Sequence, residues 1–242
     1  MLMHAQLIRD NWLAERLGCN VYQVPSELLL DEGVDYQALM PELQEPPVFA
    51  YVKIPVDKPY VVDALIRIGF ELVDTNLQFE KVVSSTPKIN TGNVSIRLAQ
   101  PSDEKQVAQL AARSFIHSRF HADKAISDSQ ANEIKADWSR SFFQGERGDV
   151  MVVAVDEDRI IGFLLSILTA DDCLVIDLIT VDENMRGQGL AGAMTWFTQA
   201  QFPNAKKLRV GTQLANIAAA RCYEKLGFVL ARSDHVLHYH NS

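Results

Sequence analysis

The 242-residue chain is 48% hydrophobic and 22% charged, the composition of an ordinary globular protein rather than a disordered or membrane-spanning one. Its formal charge of −8, from 23 basic and 31 acidic residues, argues against nucleic acid as a partner, because phosphate backbones are held by clustered Lys and Arg. A small anionic ligand is not excluded, since it needs only a local site. No apolar run approaches the ~20 residues of a membrane helix, and the first ten residues lack the basic head and apolar core of a signal peptide. Cys19, Cys173 and Cys222 are scattered and form no C-x-x-C pair. A reduced, cytoplasmic protein without disulfides is the expectation.

In chain order, Asn20 to Val24 and Val48 to Ile54 read as strands, with a weak helix from Asp35 to Gln44 between them. Lys58-Pro59 opens a helix whose buried side carries Val61, Val62, Leu65, Ile66 and Ile68, and Gly69 stops it. Phe70 to Phe79 follows as a strand. Ser84 to Asn93 is polar and rich in turn formers, which predicts a domain of residues 1–84, a linker over 85–93 and a second domain of 94–242. The second domain begins with the strand Val94 to Leu98. Asp103 with Gln106 predicts a capped helix through Ala112, and Ser127 with Gln130 predicts another, running to about Phe143. Val150 to Val155 and Ile160 to Leu168 flank a charged turn and read as a hairpin. Ile176 to Val181 is a buried strand, Ala193 to Phe197 a helix and Lys207 to Thr212 a strand. Asn216 to Tyr223 is a helix, and His235 to His240 ends the chain as a strand. The class is mixed α/β. The ending "helix, Gly-Phe, strand" occurs twice, at Gly69-Phe70 and Gly227-Phe228, an echo that hints at a degenerate half-domain.

A glycine-rich loop, Gly187 to Gly192, feeds a helix, and such a junction binds anions through bare backbone N–H groups and the helix dipole. It spells G-x-G-x-x-G, the dinucleotide fingerprint. That reading fails on context: five residues separate strand from glycine, no acid stands about 20 positions on, and too little chain follows to complete a parallel sheet. No G-K-[ST] follows for a Walker loop.

The same residues also spell Arg186-x-x-Gly189-x-Ala191 after a strand ending in Val181. Asn216 opens a later helix with Tyr223 seven residues on and Gly227-Phe228 beyond, so Asn216 and Tyr223 share a helix face. In these two motifs, over about Val94 to His240, the chain resembles the GNAT superfamily of acyl-CoA N-acyltransferases. The resemblance implies a GNAT fold with a smaller N-terminal α/β half-domain. It implies that Arg186 and the amides of Gly187, Gln188, Gly189, Leu190, Ala191 and Gly192 hold the pyrophosphate of coenzyme A. Ile179, Thr180 and Val181 would pair with the pantetheine arm, Asn216 would touch it from the other side, and Tyr223 would protonate the leaving thiolate.

The strand around Asp74-Thr75, the loop Ser118 to Asp123 and the strand Ile176 to Ile179 look like the TDP-fucosamine acetyltransferase branch. That resemblance implies a nucleotide-linked (dTDP) 3- or 4-amino-dideoxyhexose as acceptor, for bacterial surface polysaccharide. Acetyl-CoA or a larger donor such as hydroxybutyryl-CoA would be the co-substrate, and a homodimer is a family-level expectation. A protein or small-molecule amine as acceptor, or a non-catalytic acyl-CoA sensor, are the alternatives. Candidate bases are Asp177, a charge inside an apolar strand that needs a partner or a function, and His121, which titrates in the useful range. Arg119, His121, Asp123 and Trp138 are candidates for the nucleotide sugar. His235, His238 and His240 do not predict a metal site, because no carboxylate completes a set.

Overall fold

The computed structural model describes residues 7–31, 34–83 and 92–241. The first six residues, and residues 84–91, which include 85–91 of the expected linker, lie outside that range. The elements are β1 (Ile8–Arg9), α1 (Asn11–Leu17), β2 (Asn20–Gln23), α2 (Met40–Leu43), β3 (Val48–Pro55), α3 (Pro59–Arg67), β4 (Glu71–Val82) and β5 (Ser95–Leu98). Then come α4 (Glu104–Ser114), α5 (Arg119–Ala122), α6 (Asp128–Phe143), β6 (Val150–Asp156), β7 (Arg159–Leu168) and β8 (Cys173–Val181). The chain ends with α7 (Leu190–Gln201), β9 (Lys207–Gln213), α8 (Ile217–Lys225) and β10 (Val229–Asn241).

All ten strands join one sheet in the order β1-β2-β3-β10-β4-β9-β8-β7-β6-β5. The C-terminal strand β10 lies between β3 and β4, so the sheet runs unbroken from the N-terminal segment into the C-terminal one. β6 and β7 are buried along nearly their whole length, as their continuous apolar runs dictate for strands covered on both faces. One face carries α3, α7 and α8: Val61 and Leu65 pack on Ala50, Val52 and Ile54, while Leu190, Met194 and Tyr223 pack on Leu164, Ile176 and Val210. The other face carries α1, α4, α5 and α6. Leu13, Phe120, Ala131 and Ile134 meet Phe49, and Val107 and Leu110 meet Phe163 and Leu178.

Local chemistry accounts for most helix ends. Pro59 stands in the first turn of α3, where its missing N–H costs nothing. Ser127 and Gln130 form the expected reciprocal cap of α6. The cap expected from Asp103 with Gln106 is different. Asp103 reaches backward to the Gln100 N–H and pairs with Arg97 at 2.6 Å, while Gln106 accepts from the Ile160 N–H of β7. Neither α1 nor β1 was expected. Asp10, which caps the Leu13 N–H, and Gly18 in the left-handed region at the other end were the available signals for α1.

One polar cluster ties β10 to the segment after α5. Asp123 Oδ2 accepts from His238 Nδ1 at 2.6 Å and from His240 Nε2 at 2.7 Å, and Arg119 Nη1 stands 3.4 Å from His238 Nε2. Burial pushes the His238 imidazole down to about 4, against the pull of Asp123. Burial raises the Asp123 carboxyl, but the bonds from His238, His240 and the Ala125 N–H outweigh it and hold the group below the usual range. The native pair is therefore a neutral His238 donating to a carboxylate. Because its folded value lies below the unfolded one near 6.5, His238 contributes stability above that value and loses it as pH falls toward 4. The loss is on the order of 3 kcal/mol at ~1.4 kcal/mol per unit. The Asp123 contribution is lost only at lower pH still. The difference in urea-unfolding free energy between the wild type and His238→Gln isolates this contribution from that of Asp74, whose carboxyl burial raises to about 6, and it should shrink between pH 6.5 and 4; a difference that does not change with pH contradicts the assignment.

Candidate active site

The site begins with a change of partners along β8. This strand pairs with β7 as far as Val181, but with β9 only from Cys173 to Ile176, opposite Lys207 to Val210. Beyond Ile176 the two parallel strands separate. A bulge marks the place: Leu178 faces Leu165 and Ile176 faces Ser166, so Asp177 is the extra residue. Past the bulge, the β8 edge facing β9 carries backbone groups with no strand beside them among the described residues, an edge that can pair with an extended amide chain. Between the separated strands lies a cleft of about 100 Å³. Ile176, Asp177 and Ile179 line one wall and Val210 to Gln213 the other, with Tyr223 of α8, Asn216 just before it, and Phe115, His117, Ser118 and Lys135 from the opposite helical layer.

The Tyr223 ring packs between Phe79 and Phe228, with centroids at 5.8 and 6.0 Å. Burial pushes its phenol well above the ordinary tyrosine value, so the proton is held at neutral pH. The hydroxyl has no hydrogen-bond partner among the described residues, and Tyr223 is one of the residues that line the cleft. Asn216 caps α8, accepting from the Ala219 N–H at 3.2 Å, and lines the same cleft. The spacing that joins these two residues in the sequence therefore places both on one wall.

At the far end of β8, Asp182 turns the chain and Arg186 folds back, its Nε donating to the Val181 carbonyl at 3.1 Å. Gly187 and Gly189 have φ of 80° and 78°. A side chain at Gly187 would meet nothing within 4 Å, so backbone conformation rather than crowding explains that glycine. Gly189 stands at the N-cap of α7 without a side-chain cap, and no acid occupies the first turn. The start of this 12-residue helix, behind the exposed loop 186–189, thus has neither a capping side chain nor an acid to engage its first N–H groups. This is the chemistry a pyrophosphate requires, and the residues present fit coenzyme A. A second depression, of about 380 Å³, lies beside Arg186 with Arg113 and Arg159 on its walls and shares Ser114 with the cleft.

Asp177 finds the partner its position demanded. It accepts from Arg147 through Nε at 2.6 Å and Nη2 at 2.7 Å, and from Trp138 Nε1 at 2.9 Å. Trp138 in turn carries Lys135 Nζ at 4.3 Å and the Arg147 guanidinium at 4.6 Å from its ring centroid. The indole considered for the nucleotide sugar thus already has two cations against it. His121 is engaged at both nitrogens: Nδ1 with Ser118 Oγ at 2.6 Å and Nε2 with Asn132 Oδ1 at 3.0 Å. Since Asn132 offers an acceptor, Nε2 carries the proton and Nδ1 accepts from the serine. His121 does not line the cleft, although Ser118 does. Asp123, His238 and His240 bring donor atoms within 4.8 Å of one another. This corrects the sequence reading that no carboxylate completes a set: Asp123 does so with His238 and His240, and it accepts a hydrogen bond from each. Arg119 lies over the Tyr51 ring at 3.9 Å, on the same side of the sheet.

Sequence reasoning missed Lys135, although a signal was present. It lies four residues after buried Ala131 and three before Trp138, which puts a lysine on the inward stripe of α6. Lys53 was also missed: Arg119 and Arg232 lie near enough to depress it, though burial is the larger cause, and Asp74 and Asp234 oppose them.

The profile of the acetyltransferase (GNAT) family matches residues 107–228. The spore coat polysaccharide biosynthesis protein SpsD of Bacillus subtilis is 32% identical over 141 residues, or 57% of this chain and 48% of that protein, so the match spans about half its length. The dTDP-fucosamine acetyltransferase of Escherichia coli O6:H1 is 27% identical over 191 residues, covering 78% of this chain and 80% of that one. A tandem GNAT protein from the clavulanic acid biosynthesis pathway has a similar fold, with a TM-score of 0.61 at 11% identity, over 91% of this chain and 75% of its own.

Proposed function

The chain belongs to the acetyltransferase (GNAT) family, and on that premise we propose that it acylates the amino group of a nucleotide-linked 3- or 4-amino-dideoxyhexose, using acetyl-CoA or a larger acyl-CoA. The products would serve bacterial surface polysaccharide. The names of the two relatives, one in spore coat polysaccharide synthesis and one a dTDP-fucosamine acetyltransferase, support the acceptor class. The observation that carries the reading is local charge. In a protein of net charge −8, Lys53 and Arg119 stand near enough to each other and to Lys135 of the cleft to act on its charge. Of the acids near Lys53, Asp234 is paired with Arg232 at 2.8 Å, while Asp74, raised by burial to about 6, stays largely ionised at pH 7. Lys53 and Arg119 are the two cations offered to the diphosphate of a nucleotide sugar.

On this reading Arg186 and the amides of Gly187 to Gly192 hold the coenzyme pyrophosphate. The free edge of β8 at Ile179 to Val181 orders the pantetheine, with Asn216 opposite. An acyl-CoA supplies the activated carbonyl that the amine attacks. Tyr223 gives its proton to the departing sulfur. The Asp177–Arg147 pair, braced by Trp138, fixes the bulge that opens the strands, and Arg119 with Lys53 meets the diphosphate.

The test is release of free thiol from acetyl-CoA and hydroxybutyryl-CoA in the presence of TDP- and UDP-amino sugars, with peptides and simple amines as a second panel. Turnover with an amino-sugar nucleotide, and an acylated sugar by mass spectrometry, is the expected result. Activity confined to peptides or simple amines would overturn the acceptor assignment.

A further inference from the structure

We propose that Lys135 is the proton acceptor of the reaction: its side-chain amine, set in the cleft among Phe115, Phe120 and Trp138, takes the proton that the acceptor nitrogen loses. This rests on the acyl-transfer reading above and adds to it the group that the sequence left unidentified. Asp177 is consumed by Arg147 and Trp138, and the Nδ1 lone pair of His121 by Ser118. Lys135, by contrast, makes no hydrogen bond or ion pair to any described residue. Its Nζ stands 4.3 Å from the Trp138 ring centroid, 5.5 Å from that of Phe115 and 5.8 Å from that of Phe120. It lines the same cleft as Tyr223, so a base and an acid flank one space.

The surroundings favour the neutral amine. Burial is the largest cause, and three cations add to it: Arg119 of α5, Arg147 after α6 and Lys53 of β3. Asp177 of β8 pulls the other way, but it is already paired with Arg147. His117 and the protonated Tyr223 share the cleft. Together these bring the lysine down to about 7, where it is half deprotonated in neutral solution. A lysine desolvated beside other cations is a recurrent way to make an amine basic at working pH.

The step balances. The acceptor nitrogen forms a bond to the carbonyl carbon, and the Lys135 lone pair takes one N–H proton. The C–S bond breaks with its electron pair on sulfur, which receives the Tyr223 proton. Lys135 then gives its proton to water and Tyr223 regains one, so an amine and a thioester become an amide and a thiol.

Two measurements test this. NMR titration of the Lys135 side-chain methylene in the free protein, assigned with Lys135→Arg, should give a midpoint near pH 7; a midpoint above 9 overturns the proposal. This arm needs no acceptor, so it fails or succeeds independently of the sugar assignment. In the second arm, Lys135→Gln should lower kcat/KM for the amino-sugar nucleotide by ~10²–10³-fold. Affinity for acyl-CoA should be unchanged, and the remaining rate should rise with pH without the wild-type plateau. Lys135→Arg keeps the charge and the aromatic contacts but cannot give up its proton, so it should be equally slow. Recovery of half the wild-type rate in that variant would show a role for charge alone and overturn the proposal.

Discussion

Tyr223→Phe should bind acyl-CoA as tightly as the wild type and turn over ~10²–10⁴-fold more slowly, the range over which one positioned acid acts. The geometry separates these effects. The ring is a packing element between Phe79 and Phe228, and phenylalanine keeps those contacts. The hydroxyl bonds to no described residue, so its removal leaves no orphaned partner and stability should hardly change. What is lost is a proton held by burial in a group facing the cleft. Thiol release measured alongside calorimetric coenzyme binding reads both quantities. A variant with unchanged kcat would place the proton source elsewhere; one with equally weakened binding would make Tyr223 a binding group.

Gly189→Val should act in the opposite sense, on binding first. At φ 78° a branched side chain costs at least ~1–2 kcal/mol, which the loop can relieve only by leaving the left-handed region. Leaving it would swing the first amides of α7 away from Arg186. Losing one or two charge-assisted hydrogen bonds at ~1.5–3 kcal/mol each should weaken acyl-CoA by at least ~10-fold. The melting temperature should fall by only a few degrees, since the loop is exposed. Calorimetry and a thermal melt check both. Undiminished affinity would show that the helix start does not hold the pyrophosphate.

What could be read from the sequence divides along physical lines. Local features were legible. The Ser127 cap and the spacing of Asn216 and Tyr223 are properties of residues close in the chain, and each appears in the structure in its element. Long-range pairings were not. The insertion of β10 between β3 and β4 joins residues far apart in the chain, and no periodicity in either strand specifies that neighbour. The same limit hid the partners of Asp177. Its need for one followed from a charge in an apolar strand, but Arg147 lies thirty positions away in a loop. Asp103 failed for a different reason. Its spacing to Gln106 satisfied a local rule, yet Arg97 and the β7 backbone competed for the same side chains and won. Lys135 stood in plain view on the apolar stripe of α6, a position where a charge demands an explanation.

The central claim is that the parting of β8 and β9 is where a coenzyme thioester and an amine meet. An experimental structure with acyl-CoA bound tests it most directly. The account predicts the pyrophosphate on the amides of Gly187 to Gly192, the pantetheine along the β8 edge past Asp177, and the sulfur within hydrogen-bond reach of the Tyr223 hydroxyl. Coenzyme bound anywhere else, or a sulfur turned away from Tyr223 toward solvent, would contradict it.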